Sequence, residues 1–316
     1  MPDTAPPASR RYLVVSPCRN EAAYLRRTLD AVVAQTERPA LWIVVDDGST
    51  DETPAILANY AARHEWIRVV PKPDRGHRAV GPGVIEAFEA GLAAAPPLDG
   101  FDYLCKLDLD LDLPRAYFAT LMDRLEADPR LGTCSGKPWY RTTSGAWISE
   151  KCGDEASVGM TKFYRVACFQ EIGGFVREVN WDSIDCHKAR QLGWTARSWD
   201  DPEIRIEHLR PMGSSQSGIV SGRRRAGYAQ YYMGTDPLYF TATALYRMTR
   251  PPYVIGGLAM LWGYGESWLA GKPRQQDTAL IAFIRRYQRR ALRVGKRRAL
   301  EEVEARQAGL RGPGTP

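Results

Sequence analysis

No two of the six cysteines (Cys18, Cys105, Cys134, Cys152, Cys168 and Cys186) form a CxxC pair, and they lie far apart along the chain. That gives no sign of a disulfide framework and suits a reducing, cytosolic compartment. The opening MPDTAPPASRR lacks an apolar h-region, so it does not read as a secretory signal, and residues 1–10 are expected to be a disordered lead-in. No internal repeat of fixed period is present, which argues against a solenoid. Net positive charge is missing from most of the chain. From Lys272 onward twelve Lys/Arg face four acidic residues, a net +8, whereas everything before carries −2. A basic character confined to the tail points to an anionic surface there, such as a membrane, and not to nucleic acid.

What is present suits one large α/β domain with an appendage: 316 residues, 44% hydrophobic and 25% charged, enough to bury a substantial core. Short apolar runs alternate with helical patterns. Tyr12–Val15 reads as a buried strand that breaks at Ser16-Pro17, followed by a helix carrying Leu25, Leu29, Val32 and Val33. Leu41–Val45 reads as a second strand, with Thr50 or Asp51 capping the next helix. IRVVPKP is a third strand, GHRAVGPGVIEAFEAGLAAA a glycine-rich turn entering a helix, and FDYLCKLDLDL a fourth strand. Strand–helix alternation implies a mainly parallel sheet flanked by helices. Farther along, MTKFYRVACFQEIGGF reads as strand, helix and Gly-Gly turn, and Asp182 and Asp185 open a helix ending near Gly193.

In YLCKLDLDLDLPRAYF, a strand would put Asp108, Asp110 and Asp112 on one face, roughly 6–7 Å apart and repelling one another. Two readings stand: an acidic face in water, or a cation site. Ser16–Glu21, Asp46–Asp51 and Asp108–Asp112 all fall at the carboxyl ends of strands, where parallel α/β sheets bind ligands. They form one constellation.

Taken in order, VVSPCRNEAAYLRRTLDAVVAQ, IVVDDGSTDET, KLDLDLDLP, GMTKFYRVACFQEIGGF and WDSIDCHKARQLGW resemble the inverting glycosyltransferases of family 2, over roughly residues 11–210. The resemblance implies a GT-A type α/β fold, a Rossmann-like and mainly parallel sheet flanked by helices, with a C-terminal helical extension. It further implies a nucleotide-sugar-binding half over 11–130, an acceptor-binding half over 131–222, and a helical, membrane-associating region over 223–316. The activity implied is transfer of a sugar from a nucleotide-sugar donor to a hydroxyl of a saccharide or lipid-linked acceptor. By the same resemblance Asp110 is the direct ligand of Mg²⁺ or Mn²⁺, Asp108 contacts ribose or metal, and His208 lies near the metal and diphosphate. Asp112 stands one carboxylate beyond the usual motif. Asp47, beside Asp46, matches the acid that recognises the base, and Pro17, Arg19 and Glu21 match the loop lining that pocket. Phe88-Glu89 stands where the family often has Arg-Asn, so a basic contact to the nucleotide is expected from Lys72, Arg75 or Arg78 instead.

An acceptor hydroxyl needs a base, and inversion calls for a carboxylate opposite the leaving phosphate. Asp185 matches that position, with Asp182 the second choice. Arg223–Arg225, in GRRRAG, reads either as a phosphate-holding loop or as a solvated or membrane-facing run. Trp139, Tyr140, Trp147 and Trp181 suit sugar stacking, or simply core. The Q-x-x-R-W signature of the family's processive members is absent, which argues against a cellulose-type polymerase. Two other readings stay open. One is a sugar nucleotidyltransferase, against which the glycine-free SPCRNEAAY loop counts; the other is a non-catalytic membrane-surface protein built on the basic tail.

Tyr253 to Gly271 carries a single charge, Glu266, and as a helix would be about 28 Å long against a bilayer core of roughly 30 Å. A crossing would take the +8 tail out of the cytosol, and five glycines with Pro251-Pro252 weaken a straight span. The expectation is a shallow or re-entrant helix, aided by DPLYFTATALY, with the tail on anionic headgroups of the cytoplasmic leaflet. A packing helix of a soluble enzyme is the alternative.

Overall fold

The computed structural model describes residues 10–77, 81–210 and 218–311. These divide into two compact units: 10–177 with 195–210, and 178–194 with 218–311. In the first unit the order is β1 (Tyr12–Cys18), α1 (Ala22–Val33), β2 (Leu41–Asp46), α2 (Thr53–Arg63), β3 (Ile67–Pro71), α3 (Pro82–Ala93), β4 (Tyr103–Leu107) and β5 (Leu111–Asp112). It continues with α4 (Tyr117–Ala127), β6 (Leu131–Gly136), β7 (Pro138–Arg141), β8 (Trp147–Ser149), β9 (Thr161–Arg165) and α5 (Val166–Glu171). The chain enters the second unit as α6 (Trp181–Gln191), returns for β10 (Thr195–Trp199) and β11 (Ile206–His208), and ends in α7 (Ile219–Met233), α8 (Pro237–Met248), α9 (Tyr253–Leu269), α10 (Thr278–Val294) and α11 (Lys296–Gln307).

The first unit is built on a seven-stranded sheet ordered β10-β6-β9-β4-β1-β2-β3. All its pairings are parallel except those of β9, which runs antiparallel to both β4 and β6. Tyr12, Tyr103, Phe118 and Phe163 pack ring against ring beside it, and the apolar runs of β1 and β2 are buried throughout because helices cover both faces. A smaller sheet, β5-β11-β7-β8, adjoins it. This is the expected mainly parallel α/β architecture.

Four local expectations are corrected. β1 does not break at Ser16-Pro17 but runs to Cys18. Its pairing with β4 ends at Val15, so Pro17 sits where only β2 is alongside and its missing N–H costs no ladder bond. The strand through Asp108–Asp112 is not continuous. β4 stops at Leu107, the chain bends at Leu109-Asp110, and β5 joins the other sheet. Leu107, Leu109, Leu111 and Leu113 all stay buried in one core, and the leucines hold the alternation through the bend. Arg223–Arg225 lie in α7 and not in a loop; Arg224 pairs with Glu266 of α9 at 2.5 Å. Arg10, counted with the lead-in, is tied down by Glu37, Asp123 and Glu126.

The second unit is wholly helical among the described residues. α7 crosses α9 at glycines. A Cβ on Gly227 would lie 2.1 Å from the Met260 carbonyl oxygen, and one on Gly263 2.0 Å from that of Arg224. The inward face of α9 is therefore Gly256, Gly257, Ala259, Met260, Gly263 and Ser267, while Val254, Ile255, Leu258, Trp262 and Leu269 are exposed. No helix among the described residues is long and apolar enough to cross a membrane.

Candidate active site

The ends of β1 and β2 are laced together. Asn20, held at φ 54°, donates its N–H to Ser49 Oγ at 2.9 Å, and its side-chain oxygen accepts from Thr50 N at 2.8 Å. Asp47 N donates to Cys18 O at 2.7 Å, and Asp46 accepts from Ser49 N at 3.0 Å, turning the chain sharply through Gly48. Only glycine fits there: φ is +74°, and a Cβ would stand 2.4 Å from Asp74 Cα. The buried Asp47 carboxylate accepts from Arg75 at 2.7 Å and pairs with Lys72 at 3.0 Å. Arg19 donates to the Asp47 carbonyl and to Asp74, both at 2.5 Å. Two of the three basic candidates thus meet Asp47; Arg78 lies outside the described residues. Phe88 is core, and Glu89 is paired with Arg177.

The three acids of the leucine–aspartate run have different partners. Asp108 is half-buried and takes a 2.5 Å bond from Lys106, a lysine itself buried and also bonded to Gly159 O. Asp112 accepts from Arg27 of α1 at 2.8 Å. Asp110 is buried, and its Oδ2 accepts from Arg210 Nε at 2.6 Å and lies 3.4 Å from His208 Nε2. Each carboxylate has its own cation, yet the repulsion persists: burial and the Asp110 charge push the Asp108 carboxyl above its usual range against the pull of Lys106.

Around Asp110 the charges alternate in a chain. Glu21, at the end of β1, accepts from Arg210 at 2.8 Å, and Arg210 reaches Asp110. Asp110 meets His208, whose Nδ1 is 2.8 Å from Glu150. Burial works against the His208 charge, yet bonding to Asp110 and Glu150 pushes its pKa up to about 9. Burial likewise opposes the Asp110 charge, but hydrogen bonds from His208 and the Arg210 guanidinium hold its carboxyl below the usual range. Arg210 and Glu150 were not singled out in the sequence. The only signal was Arg210's position two residues beyond His208, with Leu209 N bonded to Asp110 O at 2.9 Å.

Among the described residues no ready cluster of three His, Cys, Asp or Glu ligands exists. Asp110 and Asp108, two residues apart, nevertheless present carboxylate oxygens, while His208, 3.4 Å from Asp110 and with its pKa pushed up to about 9, can ligate only after giving up its proton. Mg²⁺ and Mn²⁺ sites that serve phosphates commonly use one or two carboxylates and complete the shell with water and substrate oxygens, so this donor set suits them.

Asp182 and Asp185 belong to the second unit, on α6. Asp182 lies in its first turn. Asp185 is 2% exposed and accepts from the N–H of Cys186 at 2.6 Å. Trp181 is buried, whereas Trp147 is exposed.

Residues 13–175, just over half the chain, match the family described as glycosyl transferase family 2, and the chain belongs to that family. It is 27% identical over 129 residues to a poly-beta-1,6-N-acetyl-D-glucosamine synthase of Staphylococcus aureus, a match covering 40% of this chain and 28% of the synthase. Among solved structures it is similar to the mannosyltransferase PcManGT of Pyrobaculum calidifontis, described in complex with GDP-Man and Mn²⁺, with TM-score 0.51, 18% identity, and 95% of this chain and 85% of that one covered. It is also similar to GalNAc-T7 with UDP, GalNAc and Mn²⁺, with TM-score 0.53, 16% identity, and 81% and 54% covered. The fold is GT-A. Of the readings left open by the sequence, family membership favours glycosyl transfer.

Proposed function

We propose that the chain is a metal-dependent, inverting glycosyltransferase that moves a sugar from a nucleotide-sugar donor to a hydroxyl of a saccharide or lipid-linked acceptor, in polysaccharide or glycoconjugate synthesis. The observation that carries this reading is the joining of the ends of β1 and β4 through Glu21, Arg210 and Asp110, beside the laced β1–β2 loops. Pro17, Arg19, Glu21, Asp46, Asp47 and Arg78 serve the nucleotide. Asp47, with Lys72 and Arg75 against it, offers an acceptor to the base while its charge is balanced. Asp110, with Asp108 and His208, holds Mg²⁺ or Mn²⁺, which supplies Lewis-acid stabilisation of the departing diphosphate. Asp185 takes the proton of the acceptor hydroxyl, with Asp182 the alternative base.

The test is an assay across nucleotide sugars in Mn²⁺ or Mg²⁺. One donor is expected to release its nucleoside diphosphate, and EDTA is expected to stop it. If the donor instead stays intact until pyrophosphate is added, and is then converted to a nucleoside triphosphate and a sugar 1-phosphate, the reading is overturned in favour of nucleotidyl transfer.

The reading includes work at the cytoplasmic face of a membrane. It draws on the inverted pattern of α9, whose Trp262 is 66% and Leu269 79% exposed, and on Leu238, Leu245 and Tyr246 exposed on α8. Large apolar patches of this kind mark interaction surfaces, and Arg247 and Arg250 lie at the end of α8, where anionic headgroups would meet them. The full chain is expected to float with vesicles containing anionic lipid, less so in high salt, and Leu258→Glu/Trp262→Glu is expected to abolish flotation without unfolding. Wild-type protein that stays at the bottom of the gradient sinks the membrane claim.

A further inference from the structure

α10 and α11, joined by Gly295 at φ 84°, enclose a solvent-open cavity of about 720 Å³ lined by seven arginines and one acid. The arrangement follows from helical spacing. Leu280, Ile281, Ile284, Tyr287 and Ala291 turn α10 inward, which leaves Arg286, Arg289 and Arg293 along its outer stripe. Like charges three and four residues apart destabilise a helix by about 0.2–0.5 kcal/mol per pair, so such a stripe is a burden for a purely structural helix.

Local carboxylates do not neutralise it. Glu302, the acid in the lining, is fully engaged by Arg290 in a two-point contact of 2.6 and 2.7 Å. Arg289 is held by Asp236 at 2.6 Å, and Arg285 donates Nε to Gly234 O at 2.8 Å. Arg274, Arg286 and Arg293 have no salt bridge to a carboxylate among the described residues, and Arg306 shares Glu302, already engaged by Arg290, at longer range. Ile281 and Val303 form an apolar part of the wall, where a charge-assisted bond is less screened than in water. Planar guanidinium forks suit phosphate oxygens, two bonds at a time, and the volume lies within the roughly 300–1,000 Å³ of ordinary ligand sites.

We propose that this cavity binds a group of two or more clustered phosphates, presented either by a free oligophosphate or by a lipid headgroup that carries two phosphates. The site lies wholly within the second unit, and its occupancy does not depend on the transfer reaction.

The probes are inorganic tripolyphosphate, titrated calorimetrically into the full chain in EDTA, and phosphatidylcholine vesicles with and without cardiolipin. Wild type is expected to bind tripolyphosphate, and Arg286→Gln/Arg293→Gln to bind it about tenfold more weakly or worse, since hydrogen bonds to charged groups are worth about that factor each. Arg63→Gln/Arg297→Gln removes the same net charge away from the cavity and is expected to bind like wild type. Asp110→Asn is expected to keep full binding, which separates this site from the donor site. If tripolyphosphate displaces the protein from cardiolipin vesicles, a lipid headgroup can fill the site. If the cavity variant loses tripolyphosphate yet keeps its vesicle binding, the source is a free oligophosphate. Absence of tripolyphosphate binding by wild type, or equal loss in the cavity and control variants, overturns the proposal.

Discussion

Asp110→Asn is expected to reduce sugar transfer by about 10³-fold or more, because the Lewis-acid contribution it would anchor is worth several kcal/mol of transition-state charge stabilisation. Metal-dependent donor binding should weaken with it. The same change should also lower stability. Asp110 is buried against Arg210 and His208, so the asparagine leaves two cations short of their anion. Removing one partner of a buried pair costs about 3–5 kcal/mol. Arg210 keeps Glu21 at 2.8 Å and His208 keeps Glu150 at 2.8 Å, so a loss of about 1–3 kcal/mol is expected. Transfer assays and urea titrations read the two effects separately. Full activity in the variant, or in wild type with EDTA, would remove the metal role.

The second large effect concerns the base. Asp185→Asn is expected to cut turnover by about 10²–10⁴-fold with donor affinity nearly unchanged, because the base proposed here would act on the acceptor. The asparagine side-chain oxygen can still accept from the Cys186 N–H, so the fold of α6 should survive. Turnover measured at saturating donor, beside donor affinity by titration, makes the distinction. An active Asp185→Asn with a dead Asp182→Asn reverses the assignment, and two active variants move the base elsewhere.

Much of the fold was legible because its signals are local. The apolar runs Tyr12–Val15 and Leu41–Val45, the Gly173-Gly174 turn after α5 and the end of α6 near Gly193 all declare themselves within a few residues. The bend at Leu109-Asp110 was not legible. Alternating leucine and aspartate gives the same pattern whether the strand continues or kinks, since the leucines are buried either way. The partners around Asp110 were illegible for a different reason: Arg210 reaches it, and Glu150 reaches His208 beside it, from distant parts of the chain, and charge pairing across such distances leaves no periodicity. In the tail the excess of positive charge was visible as a sum. Its concentration into one cavity required the fold of α11 back along α10.

The glycines of α9 had been read as weaknesses in a span, and their inward position has a practical consequence. Because the close approach to α7 is made by backbone and small residues, the large side chains on the other face contribute little to holding the helix in place. The proposed membrane contact and the folding of the unit would thereby fall to different residues of one helix. Substituting the outer face with charged residues should yield a protein that handles as a freely soluble enzyme while keeping its helical unit intact. Enlarging the inner face should do the reverse, leaving the sticky surface unchanged on a unit that no longer assembles.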